Sequence, residues 1–245
     1  MIKQALIGLT AAALLAGCGG EDKAQAPAAK AADGTKTVGL VQLVEHPALD
    51  AASRGIQDAV KARGLKVTFD VQNAQADQSN LANIAQRFVS QEYPLIFAVA
   101  TPAAQTMANA AKNTPIVATA VTSFEAAKVV KTNEKPGTNV TGVSNIGPIA
   151  RQLDLFLALT GNAKTVGVLF NAGEVNSAFQ VEIFKKAAAA KGVEVLEATV
   201  SSVNDIQQAV TSLSGKVAGL WFPTDNVLAA GTSILAKAAK DALDK

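Results

Sequence analysis

The sequence predicts an α/β fold: two Rossmann-like lobes, each on a parallel sheet, joined by a hinge. Three observations predict it. From Thr37 onward, short β-branched runs alternate with longer amphipathic stretches, the pattern of βαβ units. That pattern is written twice. Thr37-Val38-Gly39 recurs as Thr165-Val166-Gly167, and Gly64-Leu65-Lys66-Val67 recurs as Gly192-Val193-Glu194-Val195, both at an offset of 128 residues. Asp77 and Asp205 open the next helices at the same offset. Between the copies, near Asn145–Pro148, Gly, Asn and Pro cluster before a new helix, and the hinge is expected there.

In chain order, the first segment is an address. Met1 to Gln4 carries one charge, Lys3, and Ala5 to Ala16 is apolar. That run is shorter than the roughly 20 residues a membrane-crossing helix needs. A short apolar run ending in small residues reads as a secretory signal. Its end, Leu15-Ala16-Gly17-Cys18, resembles the lipobox of bacterial lipoproteins. The resemblance implies a signal peptide of residues 1–17, cleavage before Cys18 and acylation of the Cys18 thiol. The alternative is an ordinary signal peptide, with Cys18 discarded or left free. Gly19 to Lys36 has no Val, Ile, Leu or aromatic residue and nothing to bury. Residues 18–36 therefore read as a lipidated cysteine with a flexible tether.

The first lobe is expected over residues 37–147. Its strands are Val38–Val44, Lys66–Val71, Leu95–Ala100, Ile116–Ala120 and Val140–Ser144, each a run of β-branched and apolar residues. Its helices are Pro47–Arg63, Gln78–Gln91 and Pro102–Lys112, with a short turn near Phe124–Val129. Pro47 and Pro102 suit first helical positions. The second lobe is expected over residues 148–245. A helix at Ile149–Leu159 follows Pro148. Strands Thr165–Phe170, Glu194–Thr199 and Val217–Phe222 alternate with helices Ser177–Ala190, Val203–Leu213 and Asn226–Leu243.

Composition limits the function. Of 245 residues, 49% are hydrophobic and 17% charged, enough apolar surface for a packed core. The 22 basic and 20 acidic residues nearly balance, which removes the footprint of a nucleic-acid binder. One Cys and one His exclude a Cys/His zinc site and an internal disulfide framework. No Gly-x-Gly-x-x-Gly, phosphate-binding loop or Gly-x-Ser-x-Gly elbow occurs. No catalysis and no cofactor are expected.

In open α/β sheets, ligands bind beyond the carboxyl ends of the strands, where helix N-termini present free N–H groups. The loops at those ends therefore supply the candidates. His46 follows the first strand; it is a cleft residue, a helix cap or a surface residue. Asn73 follows the second, beside Asp77, which reads as a helix N-cap. Thr101, before Pro102, caps its helix, faces a ligand carboxylate, or does both. Ala120 and Thr122 lie at the end of the fourth strand. In the second lobe, Asn171, Glu174 and Asn176 follow one strand, and Thr224 and Asp225 another. Asp225 reads equally as a partner for a ligand ammonium or as an N-cap. Phe170, Trp221 and Phe222 read as core. Strand alternation allows at most one of Trp221 and Phe222 to face a ligand.

These loops resemble a family. Val41-Gln42-Leu43-Val44-Glu45-His46-Pro47-Ala48-Leu49-Asp50, Asn73-Ala74-Gln75, Ala100-Thr101-Pro102-Ala103-Ala104-Gln105, Thr119-Ala120-Val121-Thr122, Pro136-Gly137-Thr138-Asn139-Val140-Thr141-Gly142, Ala163-Lys164-Thr165-Val166-Gly167-Val168 and Pro223-Thr224-Asp225-Asn226 occur in the order found in ABC transporter substrate-binding lipoproteins of the tryptophan/tyrosine type. The resemblance runs from about Thr37 to about Leu235. It implies a type I periplasmic binding protein fold. It also implies a monomer, lipid-anchored in the cell envelope or periplasm, that delivers an amino acid, often an aromatic one, to an ABC permease with its ATPase. The implied ligand-binding residues are His46, Asn73, Thr101, Ala120, Thr122, Asn171, Glu174, Asn176, Thr224 and Asp225. Charge complementarity assigns Thr101 to the ligand carboxylate and Asp225 to its ammonium. The family's second lobe continues beyond the helix that begins near Asn226, so an incomplete, C-terminally truncated second lobe is expected. The functional alternatives are an exported α/β enzyme using cleft carboxylates and a ligand sensor docking on a membrane receptor.

Overall fold

The computed structural model describes residues 34–243. The expected signal peptide, Cys18 and most of the expected tether lie outside the described residues.

The first lobe holds β1 (Lys36–Gln42), α1 (Pro47–Ala62), β2 (Val67–Asn73), α2 (Gln78–Ser90), β3 (Ile96–Val99), α3 (Thr101–Ala110), β4 (Ile116–Val121) and β5 (Val140–Ser144). Its five strands run parallel in the order β2-β1-β3-β4-β5. The second lobe holds α4 (Ile149–Leu159), β6 (Thr165–Phe170), α5 (Val175–Ala190), β7 (Glu194–Thr199), a 3-10 turn at Val203–Asp205, α6 (Ile206–Leu213), β8 (Leu220–Trp221), α7 (Asn226–Ala230) and α8 (Thr232–Leu243). Its three described strands are parallel, ordered β7-β6-β8. Both lobes begin alike. The chain passes from a central strand to a neighbour on one side, then crosses to the other. This reversal opens a crevice at the carboxyl end of the central strand.

The repeated sequence motifs do the same work in each lobe. Gly64 and Gly192 end α1 and α5 with φ +65°, the left-handed turn that closes a helix without a Cβ clash. Gly39 and Gly167 lie on the two central strands, β1 and β6. A Cβ at Gly39 would come within 2.6 Å of the Phe88 ring, and one at Gly167 within 2.6 Å of Leu220. Each glycine lets a large side chain lie directly on the sheet.

The cores differ. In the first lobe β1 and β3 are buried on both faces, as a covered parallel sheet requires. One continuous cluster runs through Leu40, Val41, Leu81, Phe88, Ile96, Met107 and Ile116. In the second lobe the apolar residues form two clusters. Val166, Val168, Phe184 and Trp221 belong to one, and Leu169, Ile206, Val210, Leu228 and Leu235 to the other. Alternation along β6 sends Val168 and Leu169 to opposite faces.

Several expected elements shift. Gln72 and Asn73 belong to β2 and do not form a loop, because Gln42↔Asn73 continues the ladder with β1. Phe124–Val129 stays the short turn expected. The strand expected over Val217–Phe222 shrinks to Leu220–Trp221. Gly219 lies against the Phe156 ring there, where a Cβ would come within 3.0 Å. The last helix breaks at Gly231, whose position a Cβ could not share: it would stand 2.3 Å from Ile206 Cδ1. The glycine lets the α7–α8 junction rest on α6. Before α6, Ser202 caps the 3-10 turn in a capping box with Asp205, and Asp205 holds the N-cap position of α6 without a side-chain cap bond.

Candidate functional site

A cavity of about 430 Å³ opens between the strand ends of the two lobes, within the size range of small-ligand sites. The first lobe contributes His46, Ala48 and Leu49 from the start of α1, and Thr119, Ala120 and Thr122 from the end of β4. Asn145 comes from the connection between the lobes. The second lobe contributes Asn176 from α5, residues 222–226 after β8, and Ala229 and Thr232.

The first-lobe wall is His46 and Leu49 among small side chains. His46 occupies the N-cap position of α1 but makes no side-chain cap bond. Its side chain is buried, 8% exposed. Burial lowers the imidazole pKa below its ordinary value, against smaller opposing effects of Asn226 and Asp50, so the ring is neutral. Asn226 opposes that lowering as a hydrogen-bond partner of the ring, while Nε2 itself has no partner. Below His46, Gln42 donates to Asp50 Oδ1 at 2.6 Å and fixes the first turn of α1. Ala100 and Ala120 take positive φ values, +90° and +54°. Such strain persists where surroundings over-determine it, often around binding sites.

The second-lobe wall is a connected network of buried polar groups. Glu174 Oε2 accepts from Asn176 Nδ2 at 2.9 Å and Asn226 Nδ2 at 2.6 Å. Asp225 Oδ1 accepts from the Leu228 N–H at 3.0 Å, capping α7. Its Oδ2 accepts from the Asn171 N–H and Ser177 Oγ, both at 2.7 Å. Gln180 accepts from Thr224 Oγ1 at 2.7 Å and donates to the Asn176 carbonyl at 2.9 Å. Burial first, then the Asp225 charge, raises the Glu174 pKa. These bonds tie the β6 loop to the β8 loop across about fifty residues of sequence.

Of the sequence candidates, His46, Ala120, Thr122, Asn176, Thr224 and Asp225 line the cavity. Asn73, Thr101, Asn171 and Glu174 do not. Asn73 ends β2 and accepts from the Gln75 N–H. Thr101 is not a cap: Ala100 holds that position, and Thr101 Oγ1 accepts from the Thr122 N–H at 3.3 Å. Asn171 closes its own turn onto the Gly173 N–H. Glu174 stands behind Asn176. Sequence reasoning missed Asn226, Asn145 and Phe222. Asn226 follows the Asp225 cap within the same loop, which could have flagged it. Phe222 is not core: it is 44% exposed and lines the cavity, while Trp221 is buried and stacks on Phe184 at 4.1 Å.

Two parallel α/β lobes facing each other across a ligand-sized cavity define the type I periplasmic binding proteins. More narrowly, the chain belongs to the ABC transporter substrate binding protein family, whose model matches residues 37–243. Members of this family are exported to the periplasm or cell envelope, bind small solutes there and deliver them to an ABC permease. The chain is 40% identical over 243 residues to a tyrosine-binding protein of Clostridioides difficile, covering 96% of this chain and 70% of that protein. A Streptococcus pneumonia structure in complex with L-Trp is 40% identical, with a TM-score of 0.80 over 84% of this chain and 71% of that one. A ligand-free, open substrate binding protein of Clostridium difficile is 43% identical, with a TM-score of 0.59 over 84% of this chain and 72% of that one.

Proposed function

We propose that this protein holds one amino acid with an aromatic side chain in the cavity between its lobes and hands it to an ABC permease. The observation that carries this reading is the cavity itself: an apolar wall of Leu49, Phe222 and Pro223 beside a buried polar wall of Asn176, Asp225 and Asn226. An aromatic amino acid has that same division. The tyrosine-binding and L-Trp-bound relatives support the choice of ligand. His46, Ala120, Thr122, Asn176, Thr224 and Asp225 face the ligand. Thr101, Asn171 and Glu174 hold Thr122, Asp225 and Asn176 in place from behind, and Asn73 shapes its own loop. The protein works as a monomer, anchored to a bacterial membrane through acylated Cys18 and its tether.

A thermal-shift screen of the twenty amino acids tests the ligand. Tryptophan or tyrosine should stabilise most, by about 2.7 kcal/mol at a hundredfold excess over Kd. A folded sample that no amino acid stabilises would sink the reading. Phe222→Ala should weaken aromatic ligands more than aliphatic ones. Cys18→Ser should move the protein from the membrane to the soluble fraction; retention on the membrane would remove the anchor from the proposal.

A further inference from the structure

Buried side-chain polar atoms are nearly always hydrogen-bonded. Among the described residues, two lack a partner: His46 Nε2 and Asn176 Oδ1. Both residues line the same cavity, one from each lobe. Both are more than nine-tenths buried, with exposures of 8% and 4%.

The orientation of the Asn176 amide follows from its surroundings. Three acceptors surround Nδ2: Glu174 Oε2 at 2.9 Å, Thr224 O at 3.0 Å and Ser177 Oγ at 3.2 Å. An amide turned the other way would set its oxygen against a carboxylate and a carbonyl. The nitrogen must face the network, so Oδ1 is an acceptor in want of a donor. The electrostatics select the donor's charge. No Lys or Arg lines the cavity, and the buried carboxylates of Glu174 and Asp225 stand beside Asn176. Asp225 already accepts three of the about four hydrogen bonds a carboxylate can take, so its main part here is its field. A neutral His46 ring carries one proton; with it on Nδ1, Nε2 is bare and a second acceptor. An ammonium group has three donors and a positive charge, and it satisfies all of these conditions.

We propose that Asn176 Oδ1 and His46 Nε2 together bind the ligand's amino group, so that this pair selects amine-bearing ligands and joins the two lobes through the amine. The proposal rests on the amino-acid-binding reading above and goes further by assigning the amine to an Asn–His pair rather than to Asp225.

Calorimetry on the mature protein tests it with two matched pairs: L-tryptophan against 3-indolepropionate, and L-tyrosine against 3-(4-hydroxyphenyl)propionate. Each acid lacks only the amino group. The acid should bind at least about tenfold more weakly than its amino acid, because it leaves two buried acceptors unpaired. His46→Phe, which breaks no hydrogen bond of the Glu174–Asp225 network, should reduce that ratio several-fold by weakening the amino acid and sparing the acid. Asn176→Ala should do the same if it folds. Equal affinity of acid and amino acid, or a ratio unchanged in His46→Phe, overturns the proposal while amino-acid binding stands. Failure of both amino acids to bind a folded sample overturns both.

Discussion

The two lobes face one cavity but are built differently. The first lobe joins its buried apolar residues in one continuous core and meets the cavity with Leu49, small side chains and a single imidazole. The second divides its apolar residues into two thinner clusters and places Glu174, Asn176, Ser177, Gln180, Asp225 and Asn226 in one buried network at the cavity. In the first lobe, stability rests mostly on residues away from the cavity, and Leu49 is the core residue that also lines it. In the second, the residues that would touch ligand also hold the β6 and β8 loops together. Damage to binding and damage to folding should therefore separate in the first lobe and coincide in the second.

The largest expected effect tests the first lobe's core. Phe88 is buried over Gly39 and packs edge-on against Tyr93 at 5.4 Å. Phe88→Ala should cost about 3–5 kcal/mol, read by urea unfolding. Protein that remains folded should bind ligand with unchanged affinity. A cost under about 1 kcal/mol would mean that the core is not the continuous unit described.

Glu174→Ala addresses the second lobe. It strips acceptors from Asn176 and Asn226 together and should cost about 2–3 kcal/mol. Ligand affinity should fall with it. Glu174→Gln keeps the shape and one acceptor, and should cost less. If Glu174→Ala lowered stability but left affinity intact, the coupling of site and fold in this lobe would be refuted.

The difference between the lobes was only partly legible in the sequence. The β-α order and the paired glycines follow local rules: period, turn and helix end. Gly39 and Gly167 repeat because each leaves room for a side chain above a central strand. Gly219, just before the short β8, and Gly231, at the helix break, lie against Phe156 and Ile206, contacts that no local pattern encodes. The site divides in the same way. Asp77 caps its helix as its spacing foretells. The Glu174–Asn226 bond joins residues 52 apart, and that distance hid Asn226. Thr101 precedes a Pro, the usual position of a cap, yet tertiary pairing turned its hydroxyl to Thr122.

A smaller effect should come from Trp221. It stacks on Phe184, and its Nε1–H donates to Gln152 Oε1 at 3.0 Å, joining β8 to α4. Trp221→Phe keeps the stack and loses the bond, a cost of about 1 kcal/mol. Trp221 is the chain's one tryptophan and adjoins Phe222, so its fluorescence should change when ligand enters. An unchanged spectrum at saturating ligand would place the ligand away from the second-lobe wall.

The smallest effect is one of sign, and it sets the lobes against each other in pH. Asp70 lies in the first lobe, outside the cavity lining. Burial alone would raise its pKa. Bonds from Tyr93 at 2.6 Å, Gln72 at 2.6 Å and Arg87 outweigh burial and lower the pKa below its ordinary value of 3.8. Reciprocally, burial and Asp70 push Tyr93 up to about 12. A carboxyl with a lowered folded pKa contributes stability that is full above 3.8 and lost as pH falls through the folded value. Glu174 runs the other way. Its folded pKa lies above its ordinary 4.5, so its contribution is full below 4.5 and lost as pH rises through the folded value. Melting temperature followed from pH 7 to 3 should show both. Asp70→Asn should remove part of the loss below pH 4, worth under about 1 kcal/mol because Arg87 is partly exposed. Glu174→Gln should remove part of the loss on raising pH above 4.5. If the two variants flattened the same side of the curve, the carboxyls would not hold the opposite environments that their partners define.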